Sequence, residues 1–232
     1  MSSVKIQKKI KKFNKNITTS GDKSLSIRWA LLASQSPYKS KSYNLLTSED
    51  VLNTLSCLKK LGVKVRLTKK FCEIFGVGLN GYKYKKNLIL NCGNSGTLSR
   101  LIMGLLVHSK SEIKITGDAS LSKRDFKRVV NPLSKFGATF KIKSGKLPLT
   151  VKGTNYPFPI KYNENRGSAQ CKTSVMLAAL NTRGKTIIKA KKSRNHTELL
   201  FKYLKLPIKI INNKNYDIIE LSGVKKINPI NY

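Results

Sequence analysis

The sequence contains a tight glycine turn of a kind that binds anions. The segment NCGNSGTLSR at 91–100 follows the apolar residues 88–90 and leads into the apolar stretch 101–107. This order predicts a strand that turns sharply into a helix. The first N–H groups of a helix lack internal partners and lie at the positive end of its dipole, and glycine lets an anion approach them. Taken alone, a turn of this type is more often a simple connection before a core helix than an anion site.

Two further helix starts have the same composition. The segments GDKSLSIR at 21–28 and GSAQCKT at 167–173 each precede an apolar run. Lys23 lies at the entry of the first helix, and Ser24 and Arg28 are four residues apart on one face of it, which suits a multiply charged anion. An ordinary N-cap with a solvated lysine explains any one of these starts as well. Three similar starts together favour the binding of phosphate or carboxylate groups.

The elements around these helix starts repeat three times along the chain. Each start is followed by a short strand, a second helix and a helix-ending signal that leads into paired strands. These signals are 75 positions apart between Gly62 and Gly137, and 69 positions apart between Gly137 and Leu206. A period of this length describes one whole supersecondary unit that occurs three times. We expect the helix starts to converge on one ligand, with 78–87 and 152–162 as connectors between units.

The net charge of the chain is extreme. It is +35, from 46 basic and 11 acidic residues, and such a surface attracts polyanions. The lysines are spread over the whole chain without an RNA-binding signature or an aromatic stripe, so we expect nucleic acid to bind only non-specifically. Positive potential would also steer small anionic substrates towards the protein. A non-catalytic polyanion-binding protein is the alternative that this charge leaves open.

The remaining composition is that of a cytoplasmic protein. With 232 residues, of which 40% are hydrophobic, the chain can bury the core of one or two lobes. Its four cysteines are scattered, without a Cys-x-x-Cys pair, which predicts reduced thiols and no zinc site. No apolar run approaches the ~18 residues of a membrane helix, and the lysine-rich N-terminus lacks the apolar core of a secretory signal.

Six segments resemble, in their order, the motif series of the EPSP synthase family, the 3-phosphoshikimate 1-carboxyvinyltransferases. They are GDKS at 21–24, GNSGT at 93–97, GDASLSKR at 117–124, LPLT at 147–150, SAQCK at 168–172 and SRNHTE at 193–198. The resemblance implies an α/β (α+β) fold in which three βαβαββ units form one domain of an inside-out α/β barrel. Members of the family are about twice as long and contain a second such domain.

The resemblance also implies how the chain is divided. A first strand within 1–17 would pack with the second domain, 18–225 would form the domain of three repeats, and the second domain would be absent. We therefore expect a truncated or partial enzyme that is inactive alone. Its partner would be a separately encoded second half, and otherwise the chain would be a monomer.

The reaction follows from the same resemblance. The family transfers the enolpyruvyl group of phosphoenolpyruvate to the 5-hydroxyl of shikimate 3-phosphate, on the pathway to chorismate and aromatic amino acids, without a metal or an organic cofactor. Lys23 is the one catalytic residue carried over, and the acid–base Asp, Glu and Lys would belong to the second domain. Shikimate 3-phosphate would be bound by Lys23, Ser24, Arg28, Ser168, Ala169, Gln170 and Arg194, and phosphoenolpyruvate by Lys23, Asn94, Gly96, Thr97, Arg124 and Gln170.

The acidic residues and histidines are assigned structural roles. Glu49, Asp50 and Glu198 lie at expected helix starts, where the helix dipole favours them. Asn195 is expected to cap the helix in which Glu198 completes a capping box, and His108 to cap the end of its own helix.

Three residues depart from the family pattern, and two related families are alternatives. Asp125 follows Arg124, where it could compete for the guanidinium, Asn195 replaces the aspartate of its motif, and Ser20 replaces a proline. A UDP-N-acetylglucosamine carboxyvinyltransferase would share the architecture, but its nucleophilic-cysteine loop is not recognisable in this sequence. An RNA 3′-phosphate cyclase would require a histidine nucleophile signature, which the sequence lacks.

Overall fold

A computed structural model of the chain describes residues 5, 9, 12–14, 16–17 and 19–231. The first strand predicted within 1–17 lies largely outside the described residues, and the division into domains stays a prediction. The described part forms seven helices and eleven strands, arranged as three successive units. The mixed α/β class and the threefold repeat are therefore confirmed.

The first unit contains two helices and a three-stranded antiparallel sheet. Its elements are α1 (Lys23–Ser34), β1 (Lys39–Ser42), α2 (Glu49–Lys60), β2 (Lys64–Leu67) and β3 (Cys72–Phe75). The strand order is β1-β3-β2. In α2, Val51, Leu55 and Leu58 recur at intervals of three or four residues and are buried, so this helix covers the core with one face.

The second and third units each add a strand before the first helix. The second unit contains β4 (Leu88–Asn91), α3 (Gly96–Leu106), β5 (Ile113–Thr116), α4 (Ala119–Ser122), α5 (Lys127–Ser134), β6 (Thr139–Lys143) and β7 (Lys146–Lys152). The third contains β8 (Lys161–Glu164), α6 (Ala169–Ala179), β9 (Lys185–Lys191), α7 (His196–Tyr203), β10 (Ile208–Asn212) and β11 (Tyr216–Ser222). Their sheets have the equivalent orders β4-β5-β7-β6 and β8-β9-β11-β10, with a parallel first pair. Apart from the short α4, both units show the predicted βαβαββ order.

The helices α1, α3 and α6 form the centre of the molecule. Every residue of α3 is buried, as are nearly all residues of α1 and α6, so none of the three has a solvent face. The helices α3 and α6 approach so closely that a Cβ on Gly104 would lie 2.2 Å from the carbonyl oxygen of Ser174. Helices buried on all sides belong to the core of a protein, and the polar residues that these three carry must find partners within it. The three predicted anion-binding helices thus pack together, which brings their N-termini to one side.

The segment that follows β11 returns to the first sheet. Asn231 pairs in parallel with Lys41 of β1. The backbone N–H of Ile230 donates to Ser40 Oγ at 2.9 Å, and Trp29 Nε1 donates to the carbonyl oxygen of Ile230 at 3.0 Å. In the other two units, β4 and β8 occupy the matching parallel position beside β5 and β9. The C-terminal segment therefore lies where the first sheet would have its fourth strand.

The described residues contain neither a helix that could span a membrane nor a cluster of metal-ligating side chains. None of the helices found there is long and apolar enough to cross a membrane. Within the same residues, no group of three or more His, Cys, Asp or Glu side chains is placed to hold a metal ion. The four cysteines are buried and free.

Candidate anion-binding site

The three predicted helix starts are confirmed as capped N-termini. Asp22, Ser95 and Ser168 are the N-caps of α1, α3 and α6. Each side-chain oxygen accepts a hydrogen bond from the backbone N–H three residues later, at 2.7, 3.2 and 3.3 Å. Because a hydroxyl group can accept and donate at once, Ser168 keeps its proton available for an oxyanion while it caps α6.

An open cavity of about 440 Å³ lies at these helix starts. The residues that line it come from α1, α2, α3, α6 and two loops, and are Lys23, Glu49, Asp50, Asn94, Gly96, Thr97, Arg124 and Gln170. We call this space the open cavity. All six residues predicted for phosphoenolpyruvate line it, although they are spread over nearly 150 positions of sequence.

Two arginines meet at Gly96 in the open cavity. A Cβ at this position would lie 2.8 Å from Arg124 Nη1 and 2.9 Å from Arg100 Nη1, so any larger residue would displace a guanidinium. Arg124 is exposed, and its Nη2 donates to Asn94 Oδ1 at 2.7 Å. The glycine of the GNSGT motif therefore gives cations, as well as a ligand, access to the start of α3.

The sequence reasoning missed Arg100, which is buried behind the open cavity. Its Nη1 donates to Gln170 Oε1 at 2.6 Å and to the carbonyl oxygen of Gly96 at 3.4 Å. Gln170 Nε2 in turn donates to Thr97 Oγ1 at 3.0 Å. Arg100 thus fixes the amide group of a predicted ligand-binding residue. The signal was available, because Arg100 lies one turn into its helix, as Arg28 does.

Arg28 is buried at the junction of α1, α6 and α7. Its Nε donates to Thr197 Oγ1 at 2.8 Å, its Nη1 to the carbonyl oxygen of Ser24 at 3.0 Å, and its Nη2 to Thr173 Oγ1 at 3.4 Å. The two threonine hydroxyls are 2.7 Å apart and hydrogen-bonded. Burial lowers the pKa of Arg28 to about 10, against the opposing effect of the negative charge of Glu198. The guanidinium is therefore charged at neutral pH.

The residues predicted for shikimate 3-phosphate are placed less uniformly. Lys23 and Gln170 line the open cavity. Arg194 is exposed on the loop before α7, near enough to Arg28 for its charge to lower the pKa of Arg28. The residues that do not line the open cavity are Ser24, Arg28, Ser168, Ala169 and Arg194. The structure thus brings the phosphoenolpyruvate set into one cavity and spreads the shikimate 3-phosphate set beside it.

Two carboxylates in the open cavity were assigned only a structural role by sequence. Glu49 and Asp50 lie in the first turn of α2, as predicted, and both line the cavity. Asp50 Oδ2 is 2.9 Å from Lys23 Nζ. Because Glu49 and Asp50 begin the second helix of the unit that contains Lys23, the sequence could have indicated that they lie close to it. The Lys23 ammonium therefore has a carboxylate partner that an anionic ligand would compete with.

Three structural assignments from sequence were wrong. Glu198 was expected to complete a capping box, but its carboxylate contacts the ammonium of Lys172 on α6 in a buried ion pair. Asn195 is the N-cap of α7 but makes no side-chain capping bond. His108 was expected to cap its own helix, whereas its Nε2 is bonded to the carbonyl oxygen of Ala178 in α6, at 3.3 Å. Glu198 and His108 each contact a residue of α6 in place of the local partner, and the Asn195 side chain is exposed.

Asp125 does not compete for Arg124. Its carboxylate accepts the backbone N–H of Lys127 at 2.9 Å, at the start of α5. The guanidinium of Arg124 bonds to Asn94 instead. This departure from the family pattern leaves the arginine in the open cavity.

The arrangement is suited to small, multiply charged anions. Two exposed cations, Lys23 and Arg124, and the starts of α1, α3 and α6 surround one cavity. Two further arginines are buried nearby: Arg100 contacts Gly96 and Gln170 of the cavity, and Arg28 contacts the carbonyl oxygen of Ser24, the neighbour of Lys23. Helix N-termini and guanidinium groups both favour phosphate and carboxylate oxygens.

Comparison with known proteins gives a consistent result. The sequence profile of EPSP synthase (3-phosphoshikimate 1-carboxyvinyltransferase) matches residues 7–232. A 3-phosphoshikimate 1-carboxyvinyltransferase of Ruthia magnifica subsp. Calyptogena magnifica is 43% identical over 195 residues, which cover 84% of this chain and 45% of the relative. That of Thermoanaerobacter sp. (strain X514) is 39% identical over 234 residues, covering 97% of this chain and 53% of the relative.

A solved structure agrees with the sequence relatives. The EPSP synthase from Acinetobacter baumannii superposes with a TM-score of 0.85 at 32% identity, over 93% of this chain and 48% of that one. The chain thus spans about half the length of the relatives that it matches. By sequence profile, sequence identity and superposition alike, the chain belongs to the EPSP synthase family.

Proposed function

We propose that this chain binds shikimate 3-phosphate and phosphoenolpyruvate and forms one half of a 3-phosphoshikimate 1-carboxyvinyltransferase. The observation that carries the proposal is the convergence of all six predicted phosphoenolpyruvate residues on the open cavity. The names of the relatives support the reaction. The enzyme would act in the cytoplasm as a transferase of the shikimate pathway, and the free cysteines fit a reducing compartment.

The two ligands would occupy adjacent subsites. Phosphoenolpyruvate carries a phosphate and a carboxylate, and Lys23 and Arg124 supply separate cations for them on the open cavity. Shikimate 3-phosphate would lie towards α1 and α6, where Arg28 and the Ser168 hydroxyl can donate to its phosphate. Gln170, which Arg100 holds in place, lies between the two subsites.

The reaction joins the 5-hydroxyl oxygen of shikimate 3-phosphate, which loses its proton to a base, to C2 of phosphoenolpyruvate while C3 gains a proton from an acid. The tetrahedral adduct then loses phosphate from C2 and a proton from C3, which restores the double bond. Cations at the phosphate stabilise the departing group, and Lys23 is the residue of this chain that we assign to that role. The groups that move the protons are proposed to come from the other half present in the relatives, whether a separately encoded partner or a fused domain.

Binding of shikimate 3-phosphate tests the proposal directly. Titration calorimetry at physiological salt should show saturable binding of shikimate 3-phosphate, and weaker binding of an RNA oligonucleotide of equal charge. Diffuse lysine–phosphate attraction falls steeply with ionic strength, whereas bidentate contacts survive screening. Lys23→Ala should weaken the binding, and Lys70→Ala, an exposed lysine between β2 and β3, should not. Tight RNA binding without any heat from shikimate 3-phosphate would favour the polyanion-binding alternative.

A further inference from the structure

A buried ion pair joins α6 to α7 behind the proposed shikimate 3-phosphate subsite. Lys172 of α6 is 0% exposed and Glu198 of α7 is 3% exposed, and the carboxylate contacts the ammonium. Taking two charges out of water is costly, and well-packed apolar residues often replace such pairs without loss of stability. A gain in stability is therefore a weak reason for a pair at this position.

The neighbours of the pair indicate what it does. Thr173 follows Lys172 on α6, and Thr197 precedes Glu198 on α7, so each helix presents a lysine or glutamate beside a threonine. The two threonine hydroxyls bond to each other, and both accept hydrogen bonds from the guanidinium of Arg28. A shift of α7 along α6 would break the ion pair and separate the two acceptors of Arg28 together.

The hydrogen bonds of Arg28 leave a defined part of it free. A guanidinium has five N–H groups. One on Nε, one on Nη1 and one on Nη2 are used within the protein. One N–H on each terminal nitrogen remains, and this pair matches the fork with which arginine binds two oxygens of a phosphate. The direction of that fork depends on where Thr173 and Thr197 are held.

We propose that Lys172 and Glu198 are positioning residues that lock α6 to α7, so that Thr173 and Thr197 hold the Arg28 guanidinium in the orientation that receives an anionic ligand. The identity of the ligand, shikimate 3-phosphate, rests on the proposed function. The positioning itself involves only residues of this chain, and it can be measured without adding a ligand. The two can therefore be tested separately.

The test removes both charges together. Single substitutions leave one buried charge without a partner, so we combine Lys172→Met with Glu198→Gln, which keeps similar side-chain lengths. The matched control, Lys185→Met with Glu220→Gln, removes an exposed pair between β9 and β11 of the same unit, whose charged atoms are 3.4 Å apart. Circular dichroism would verify that each variant is folded. If the double variant is unfolded, Glu198→Asp, which keeps the charge on a shorter arm, replaces it.

The first measurement is the exchange of the Arg28 Nε–H with solvent, followed by NMR in the full chain without ligand. Exchange should be slow in the original chain and in the control, and at least about tenfold faster in the double variant, since the hydrogen bond to Thr197 Oγ1 is loosened. Unchanged exchange in a folded double variant, or in folded Glu198→Asp, would overturn the proposal. This result is independent of any substrate.

The second measurement is a double-mutant cycle with shikimate 3-phosphate. The double variant should bind it roughly tenfold more weakly than the original chain, the scale of one weakened charge-assisted hydrogen bond. In an Arg28→Ala background the same two substitutions should cause no further loss. Equal losses in both backgrounds would mean that the pair acts on stability alone. If the unsubstituted chain does not bind shikimate 3-phosphate, the proposed function is refuted. The exchange of the Arg28 Nε–H would still test whether Lys172 and Glu198 position Arg28.

Discussion

Charged groups are held in opposite ways in two adjoining regions of the molecule. In the first, which we call the closed cluster, each residue is at most 5% exposed; its members are Arg28, Lys172, Thr173, Thr197 and Glu198. In the open cavity, Lys23 and Arg124 are exposed, with Asp50 and Asn94 as partners at 2.9 and 2.7 Å. The difference follows from solvent. A buried charge requires permanent partners, whereas an exposed one exchanges its partner for water or a ligand at little cost.

The two regions are therefore expected to divide the work of binding. The closed cluster fixes the orientation of one guanidinium through contacts among three helices. The open cavity contains the groups that change partner when a ligand binds. Substitutions in each region test whether the two roles are distinct.

The largest contrast is expected in stability. Glu198→Gln leaves the ammonium of Lys172 buried without a countercharge, which should lower the free energy of unfolding by about 3–5 kcal/mol. Asp50→Asn removes a carboxylate from the half-exposed pair with Lys23 and should lower it by less than about 1 kcal/mol. Urea unfolding followed by circular dichroism measures both. Similar losses from the two substitutions would show that the closed cluster and the open cavity are not energetically distinct.

The next contrast is in ligand choice. Arg28→Ala should weaken the binding of shikimate 3-phosphate by roughly 1.5–3 kcal/mol, the scale of a lost charge-assisted hydrogen bond, and Arg124→Ala should leave it nearly unchanged. Titration calorimetry on both variants measures this difference. Equal losses would mean that the two arginines serve one subsite and that the assignment of ligands to regions is wrong.

The smallest effect concerns the exchangeable partner in the open cavity. Asp50→Asn frees the Lys23 ammonium and removes a negative charge, so phosphoenolpyruvate should bind about two- to fivefold more tightly, as expected for loss of an exposed ion pair. High salt should reduce the gain because these charges are screened. Glu112→Gln, which removes an exposed partner of Lys141, is the control. Weaker binding in Asp50→Asn would show that Asp50 holds Lys23 in position and does not compete with the ligand.

Features with a local signal were predicted well. The repeat was visible as a period because every unit ends its second helix with a comparable signal before the paired strands, at Gly62, Gly137 and Leu206. The helix starts were visible because caps act on N–H groups three residues away, within reach of sequence patterns. Six of the eight residues that line the open cavity followed from these starts and from the family motifs, and Glu49 and Asp50 did not. Their common location depended on the packing of α1, α3 and α6, which the repeat suggested.

Features that depend on distant partners were not predictable. The Asn195-x-x-Glu198 spacing is that of a capping box, and sequence contains nothing to show that Lys172 would offer a stronger partner. His108 likewise bonds to a carbonyl oxygen 70 positions away. Arg100 is a different case. Its position one turn into its helix, like that of Arg28, was a usable signal. Its burial beside Gln170 and over the ring of Phe126 was not visible, because a cation at the edge of an apolar stretch usually extends to solvent.

The C-terminal segment beside β1 has a consequence for how the chain folds as it is synthesised. The hydrogen bonds from the Ile230 N–H to Ser40 and from Trp29 to the Ile230 carbonyl join residues 190 and 201 positions apart. Contacts of such separation form late. Of the three units described, the first to be synthesised is thus the last to be completed, and until Ile230 and Asn231 are made this side of β1 lacks the partner that it has in the structure. Once they are synthesised, Ile230 and Asn231 pair with this edge of β1 and protect it from association with other chains.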